Sequence, residues 1–119
     1  MLTPWGLSTR VISLERGISF VLNQEHGGLI LDREYAERKL SHPARKRGRY
    51  LGDSYAFEMD FALALVLWEI PYLRGTLDKR GMSGWDSFNG KHLAAILSRR
   101  FPDYLRDYWS LKSYALCRP

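Results

Sequence analysis

Cysteine is almost absent from this chain of 119 residues. The single cysteine, Cys117, cannot form an internal disulfide, and no Cys-x-x-Cys pair is present to hold zinc through thiolates. A protein without disulfides is typical of a reducing cytosol, so we expect a cytoplasmic protein. The three histidines, His26, His42 and His92, lack the helical spacing of metal ligands, and we expect neither a metal nor another cofactor.

Long hydrophobic runs are also missing. The longest strongly apolar run, residues 61–68, has eight residues, whereas a membrane-spanning helix needs roughly 20. Residues 1–6 show neither a basic start nor an apolar stretch, so no secretory signal is visible. We therefore expect no contact with a membrane.

The residues that are present are typical of a folded domain. The chain is 45% hydrophobic, 26% charged and 13% aromatic, which favours a core of large side chains and argues against disorder. The length is close to that of an average domain. We expect residues 1–119 to form a single compact domain.

Short strands are predicted in the first part of the chain. Residues 11–14 and 18–22 are β-branched and aromatic runs separated by Glu15-Arg16-Gly17, which predicts a hairpin. Residues 29–31 predict a further short strand. Asp32 is the expected N-cap of a helix over residues 33–40. Residues 45–52 are then expected to form an exposed basic connection.

The remaining chain predicts helices. Residues 55–70 are almost all apolar, which predicts a buried central helix that is capped by residues 52–54 and stopped by Pro71. The glycines in residues 75–90 predict a long surface loop, pinned by Trp85 and Phe88. Two helical stripes follow: Leu93, Ile96, Leu97 and Phe101, then Tyr104, Tyr108, Leu111 and Ala115.

The order of these elements, strands first and helices afterwards, predicts an α+β fold. We expect a small N-terminal antiparallel sheet of about three strands. That sheet should pack on the buried central helix and on two or three further helices.

Positive charge is concentrated in one stretch. The chain has 18 basic and 13 acidic residues, a formal net charge of +5. Residues 33–49 hold seven basic and two acidic residues, and seven minus two is also +5. Electrostatic attraction of an anionic partner should therefore centre on one surface.

This stretch supplies the candidate binding residues, which are Arg38, Lys39, Arg45, Lys46, Arg47, Arg49 and Tyr50. Arginine on an exposed connection can contact phosphates, and Tyr50 could stack on a base. The same arginines could instead make bidentate contacts with carboxylates of an acidic protein surface. No helix-turn-helix, zinc-finger or RNA-binding signature accompanies them. A solvated loop without a partner is the plainest alternative.

Motifs for catalysis are weak. His26-Gly27-Gly28 is like the oxyanion loop of lipase-type hydrolases, but no Gly-x-Ser-x-Gly nucleophile elbow is present. A turn whose glycines allow unusual backbone geometry is the simpler interpretation. Cys117 lies too near the chain end for a preorganised nucleophile. We expect a protein that is not an enzyme, with a small hydrolase or nuclease centred on His26 as the last alternative.

Aromatic residues near the end of the chain have two interpretations. Tyr104, Tyr108, Trp109 and Tyr114 have the spacing expected for packing on the central helix. They could also form an exposed binding face, since Tyr and Trp are favoured at interfaces. Because Trp109 lies about 100° around the helix from Tyr108, one ring could be buried and the other presented.

Several short motifs resemble an uncharacterised domain family found on bacterial mobile elements. They are Thr3-Pro4-Trp5-Gly6, Gly17-Ile18-Ser19-Phe20-Val21 and His26-Gly27-Gly28-Leu29-Ile30-Leu31. Tyr50 and Asp53 stand where that family has a Tyr-x-x-Asp segment before a helix, and Pro71 stands where a proline closes it. The resemblance covers about residues 3–71.

What this resemblance implies is a biological context, namely cargo of a phage, plasmid or integrated element in a bacterial host. Small cargo proteins without catalytic motifs often occupy a site on a host machine, and anti-CRISPR proteins are one such group. The first hypothesis is therefore a non-catalytic inhibitor of a host defence ribonucleoprotein that acts through the basic residues. The alternative is an accessory or regulatory protein that binds RNA or DNA directly. The sequence leaves the oligomeric state open.

Overall fold

A five-stranded antiparallel sheet organises the first half of the chain, with strands in the order β3-β4-β5-β7-β6. The computed structural model describes residues 2–3, 6–7, 10–23, 26–59, 61–80 and 90–117. The strands are β1 (Leu2–Thr3), β2 (Gly6–Leu7), β3 (Arg10–Glu15), β4 (Ile18–Leu22), β5 (Gly27–Asp32), β6 (Arg49–Tyr50) and β7 (Ser54–Glu58). The short strands β1 and β2 pair only with each other among the described strands.

Six helices are described beside the sheet. They are α1 (Arg33–Lys39), α2 (His42–Arg47), α3 (Leu63–Glu69), α4 (Tyr72–Lys79), α5 (Gly90–Arg100) and α6 (Pro102–Cys117). Both α1 and α2 lie inside the sheet sequence, between β5 and β6. The α+β class is confirmed, but the expected sheet of three strands was too small.

The strands β3, β4 and β5 form a meander. Their pairing register places apolar residues of all three strands next to one another on one face of the sheet. Ile18 pairs with Leu31, and Phe20 pairs with both Ile12 and Leu29. Phe20, Leu29 and Leu31 are completely buried. The predicted hairpin over residues 11–22 is confirmed, and Gly17 adopts the positive φ of 84° that its tight turn requires.

A single apolar cluster joins the sheet to the helices. Helix α3 lies at its centre, with Leu63, Leu65, Val66 and Leu67 all buried. Further helices add Leu73 and Leu77 from α4, Leu93 and Leu97 from α5, and Tyr104 from α6. The sheet and the described helices therefore share one core.

The central helix is shorter than predicted, because residues 54–58 form strand β7. This strand pairs with β5 on one side and with β6 on the other. Ala56 and Phe57, on opposite faces of the strand, are both buried. A strand covered on both faces reads as a continuous apolar run, and such a run cannot be told from a buried helix by periodicity. The predicted cap over residues 52–54 is instead the turn between β6 and β7, where Gly52 has a φ of 94°.

The expected basic connection over residues 45–52 is also mostly ordered structure, which corrects the sequence interpretation. Ser41 caps helix α2, accepting a hydrogen bond from the backbone nitrogen of Ala44 at 3.3 Å. Pro43 lies in the first turn of α2, where its missing N–H costs nothing. Asp32 occupies the N-cap position of α1 as predicted, but its side chain makes no capping hydrogen bond.

Part of the predicted loop over residues 75–90 is wrong, since residues 72–79 belong to helix α4 and residue 90 begins α5. Residues 81–89 lie outside the described residues. Leu73 and Leu77 lie one turn apart and are both fully buried, so packing stabilises a helix that contains Gly75. Trp85 and Phe88 lie outside the described residues. The stripe on α5 is confirmed, whereas Leu111 on α6 is 48% exposed and not part of the core. None of the described helices combines the length and apolar character that crossing a membrane requires.

Gly48, between α2 and β6, lies directly against the core. A Cβ atom at this position would lie 2.5 Å from Cε1 of Phe57, a ring that is fully buried. The chain can pass over Phe57 only because residue 48 has no side chain.

We predict that Gly48→Ala lowers the free energy of unfolding by about 1–3 kcal/mol, because the added methyl group overpacks the core. The matched control is Gly90→Ala, where the nearest atom to the new Cβ would be Cζ3 of Trp68 at 4.0 Å. This control should change stability by less than about 0.5 kcal/mol. Urea denaturation measures both, and equal stability of the two variants would contradict the packing argument.

Candidate functional site

The seven candidate binding residues lie on three consecutive elements. Arg38 and Lys39 are in the last turn of α1, and Arg45, Lys46 and Arg47 are in the last turn of α2. Arg49 and Tyr50 form strand β6, at one edge of the sheet. Cations near helix C-termini interact favourably with the helix dipole, so these residues also help to stabilise two short helices.

Arg47 points inward and does not join the exposed cations. Its Nη2 lies 3.3 Å from Oδ2 of Asp107, and its Nη1 donates to the carbonyl oxygen of Pro43 at 2.9 Å. The guanidinium also lies 5.7 Å from the centre of the Tyr104 ring. These contacts attach α2 to α6, so the role of Arg47 in the structure is to hold the two helices together.

Arg45 is half-buried. Its Nε is buried and has no hydrogen-bond partner among the residues that the structure describes. The exposed cations are therefore Arg38, Lys39, Lys46 and Arg49. Together with Tyr50, these four residues are called the basic surface below.

Tyr50 is the most exposed large apolar side chain among the described residues, at 55%. Its ring lies 5.1 Å from that of Tyr55 on the neighbouring strand, and its hydroxyl donates to the carbonyl oxygen of Gly52 at 2.9 Å. Nη1 of Arg33 approaches the same carbonyl oxygen at 3.4 Å. Arg33 thus lies beside the basic surface, although it was absent from the predicted binding residues.

Arg33 shows why spacing along the sequence does not reveal every residue that lies beside the basic surface. It begins α1, 19 residues before Gly52, and only the turn between β6 and β7 brings the two together. Its charge is partly matched by Glu37, whose Oε1 lies 3.8 Å from the Arg33 Nε. No local signal in the sequence places Arg33 next to Tyr50.

Glu69, at the end of α3, forms a polar junction near the basic surface. Its Oε1 accepts a hydrogen bond from the backbone nitrogen of Ser41 at 2.7 Å, and its Oε2 accepts one from Ser41 Oγ at 2.6 Å. Oε2 also accepts a hydrogen bond from the hydroxyl of Tyr104. One carboxylate therefore ties the start of α2 to α3 and α6.

A cleft of about 360 Å³ opens beside this junction, between α1 and α6. Arg38 and Lys39 line it on the α1 side, and Tyr108 and Leu111 line it on the α6 side. Glu69 also contributes to the lining. We call this the α1–α6 cleft, and it adjoins the basic surface through Arg38 and Lys39.

A second cleft, of about 440 Å³, lies on the other side of Arg38. Carboxylates of Glu15, Asp32 and Glu34 line it together with Arg16 and Arg38. The hydroxyl groups of Tyr35 and Tyr72 lie 2.8 Å apart nearby, and Tyr72 donates to Oε2 of Glu15 at 3.2 Å. Burial, together with these hydrogen bonds, raises the pKa of Tyr72 above its ordinary value, so its proton stays in place.

The described residues contain no group of three or more acidic, histidine or cysteine side chains arranged to hold a metal ion. The mixed signs of charge in the second cleft are consistent with that finding.

His26 lies in the turn between β4 and β5, where its backbone nitrogen donates to Oδ1 of Asn23 at 2.6 Å. Its Nδ1 is 3.6 Å from Oε1 of Glu58. Gly27 has a packing role, because a Cβ there would lie 2.6 Å from the carbonyl oxygen of Val21. The close approach of β4 and β5 thus accounts for a glycine at position 27.

The aromatic residues of α6 divide between core and surface. Tyr104 is fully buried, whereas Trp109 is 53% exposed. Tyr108 is half-buried and stacks on Tyr104, with ring centres 5.8 Å apart and planes inclined by 29°. Of Tyr108 and Trp109, one ring was expected to be exposed, and it is that of Trp109. The structure describes the backbone of Tyr114 and Cys117 within α6 but not their side chains.

A family model for a domain of unknown function, DUF7007, matches residues 1–112 of the chain. The chain belongs to this family. The matched span of the DUF7007 domain includes the basic surface and both clefts. No curated protein and no solved structure matches the chain.

Tyr104 makes the free energy of unfolding depend on pH in the alkaline range. Burial, aided by its hydrogen bond to Glu69, raises the pKa of Tyr104 well above the ordinary value of 10.0. In the unfolded chain the hydroxyl loses its proton near the ordinary value, while the folded protein retains it. The stabilisation is therefore complete below about pH 10 and is lost as the pH rises further.

We predict that Tyr104→Phe lowers the free energy of unfolding by about 1–3 kcal/mol at neutral pH, because a hydrogen bond to a carboxylate is lost. Above about pH 10 the gap between wild type and variant should narrow, by at most about 1.4 kcal/mol per pH unit. Urea denaturation at a series of pH values measures the gap. A constant gap through the alkaline range would contradict the raised pKa.

Proposed function

We propose that this DUF7007 protein is a non-catalytic interaction protein that blocks an anionic site on a host ribonucleoprotein with its basic surface. The observation that carries the proposal is the placement of Lys39, Lys46 and Arg49. All three are exposed, and none makes an ion pair within the described part of the chain. Their charge is therefore available to a partner.

The arrangement suits an extended anionic partner better than a small ligand. The exposed cations are spread over the end of α1, helix α2 and strand β6. A partner with several anionic groups can contact these cations at once and release the counterions around both surfaces. Arg38 and Arg49 add planar donors that can bind a carboxylate or a phosphate through two hydrogen bonds.

The proposed partner class comes from the resemblance to a mobile-element family. Cargo of a phage or plasmid benefits from disabling host defence, and CRISPR-type effectors are ribonucleoproteins with both protein and RNA surfaces. The proposal assigns no catalytic role to His26, because no nucleophile elbow accompanies it in the sequence.

Direct binding of RNA or DNA is the second candidate, and Tyr50 is the observation that favours it. The ring is 55% exposed beside Arg49. An exposed aromatic ring next to a cation is the arrangement that stacks a base and contacts its phosphate. The two candidates differ in whether free nucleic acid binds as tightly as the intact ribonucleoprotein.

We predict that the double variant Lys46→Glu/Arg49→Glu binds purified CRISPR effector ribonucleoproteins at least about tenfold more weakly than wild type. The matched control is Lys91→Glu/Arg99→Glu, which makes the same change of net charge at exposed positions of α5. Biolayer interferometry at two salt concentrations measures the affinities, with free guide RNA as a second ligand.

Tighter binding of the ribonucleoprotein than of free RNA supports the first candidate, and equal affinity supports the second. If the α5 control loses as much affinity as the test variant, net charge alone governs binding and the proposed surface is wrong. Absence of binding to every effector and to RNA would contradict both candidates.

A further inference from the structure

The α1–α6 cleft has two chemically different parts. Its rim carries Arg38 and Lys39, the last two residues of α1. The α6 side carries Tyr108 and Leu111, and Leu40, the C-cap residue of α1, also lines the cleft. A ligand that fills the cleft must therefore combine an anionic group with an apolar group close by.

Glu69 disfavours an anion in its part of the cleft. It is one of the lining residues, and both of its carboxylate oxygens already accept hydrogen bonds, from Ser41 and Tyr104. A second negative charge beside this carboxylate would be repelled and would find these donors already engaged. The part of the cleft next to Glu69 therefore suits an uncharged group, and an anion is favoured beside Arg38 and Lys39.

The apolar wall is accessible. Leu111 is 48% exposed on α6, one turn beyond Tyr108. Burying such a side chain against an incoming apolar group is favourable by roughly 25 cal/mol for each Å² removed from water. At about 360 Å³ the cleft is near the lower end of the usual range for ligand pockets. That volume suits one large side chain.

We infer that the α1–α6 cleft binds an acidic peptide segment of the partner protein. One apolar side chain inserts against Leu111 and Tyr108, and a neighbouring carboxylate binds Arg38 and Lys39. This inference rests on the proposed function, and it assigns this part of the contact to protein and not to nucleic acid.

Nucleotide binding fits the cleft less well, because a base needs an open aromatic face on which to stack. One face of the Tyr108 ring is stacked on Tyr104. Trp68 and Trp109 meet Tyr108 edge to face, with ring centres 6.1 Å and 5.3 Å away. The remaining apolar wall is aliphatic, which favours an amino-acid side chain.

Fluorescence anisotropy with a labelled acidic peptide that contains a single central phenylalanine tests the inference. A second peptide, identical except for serine in place of phenylalanine, measures the apolar contribution. Wild type should bind the phenylalanine peptide more tightly, and Leu111→Asp should weaken that binding by about tenfold or more. Leu111→Ala provides a milder variant if the aspartate disturbs folding, as judged by circular dichroism.

The control variant is Val11→Asp, which places the same charge at a position that is 47% exposed. Val11 lies on β3, at the edge of the sheet opposite β6. It should leave peptide binding unchanged. Single-stranded RNA serves as the third probe, and its affinity should not change with the uncharged variant Leu111→Ala. Equal affinity of both peptides, or an effect of Leu111→Ala on RNA alone, would overturn the inference.

Failure of this inference is distinguishable from failure of the proposed function. If neither peptide binds while the effector complex still binds through Lys46 and Arg49, the cleft inference is wrong and the proposed function stands. If the effector complex, RNA and both peptides all fail to bind, both are wrong.

Discussion

The carboxylate of Glu69 is the interaction on which the basic surface depends. In a capping box, an acid three residues into a helix bonds back to the N-cap backbone nitrogen. In α2 the N-cap is Ser41, and the acid comes from Glu69, 28 residues further along the chain. Since α2 has only six residues, it could not be stable alone. A tertiary contact therefore sets the position of Lys46 and, through Gly48, of β6.

The contacts of the same carboxylate offset an unfavourable charge at the C-terminus of α3. A glutamate at a helix C-terminus is repelled by the helix dipole. Glu69 is the last residue of α3, but it faces the N-terminal end of α2 and the hydroxyl of Tyr104. One charge thus stabilises a second helix while it weakens its own. Tyr104 in turn lies beneath the guanidinium of Arg47, so the junction extends from the core to the surface.

Parts of the fold could be predicted from the sequence where one face of an element is buried. The hairpin over residues 11–22 and the stripe of α5 are such cases, because burial of one face leaves a periodic pattern. Strand β7 could not be recognised, since Ala56 and Phe57 are buried on opposite faces. Helix α2 was missed although Ser41 and Pro43 provide a local signal for its start. With only six residues it depends on the contact with Glu69, and no local pattern records a contact at that separation.

The candidate site was predictable in composition but not in orientation. The run of cations identified the segment, yet Arg47 turns inward to Asp107, 60 residues away. Arg33 was not among the predicted binding residues, and Leu111 was assigned to the helical stripe of α6. Only the fold brings Arg33 beside the basic surface and Leu111 into the α1–α6 cleft.

The close approach of Gly48 to Phe57 has a consequence for how any partner is met. The link between α2 and β6 packs on a fully buried ring, so Lys46 and Arg49, on either side of this link, are carried by packed backbone. In the proposed interaction, association would therefore cost little backbone conformational entropy. A partner of the kind proposed would have to fit the existing shape of this segment, which favours selectivity over adaptability.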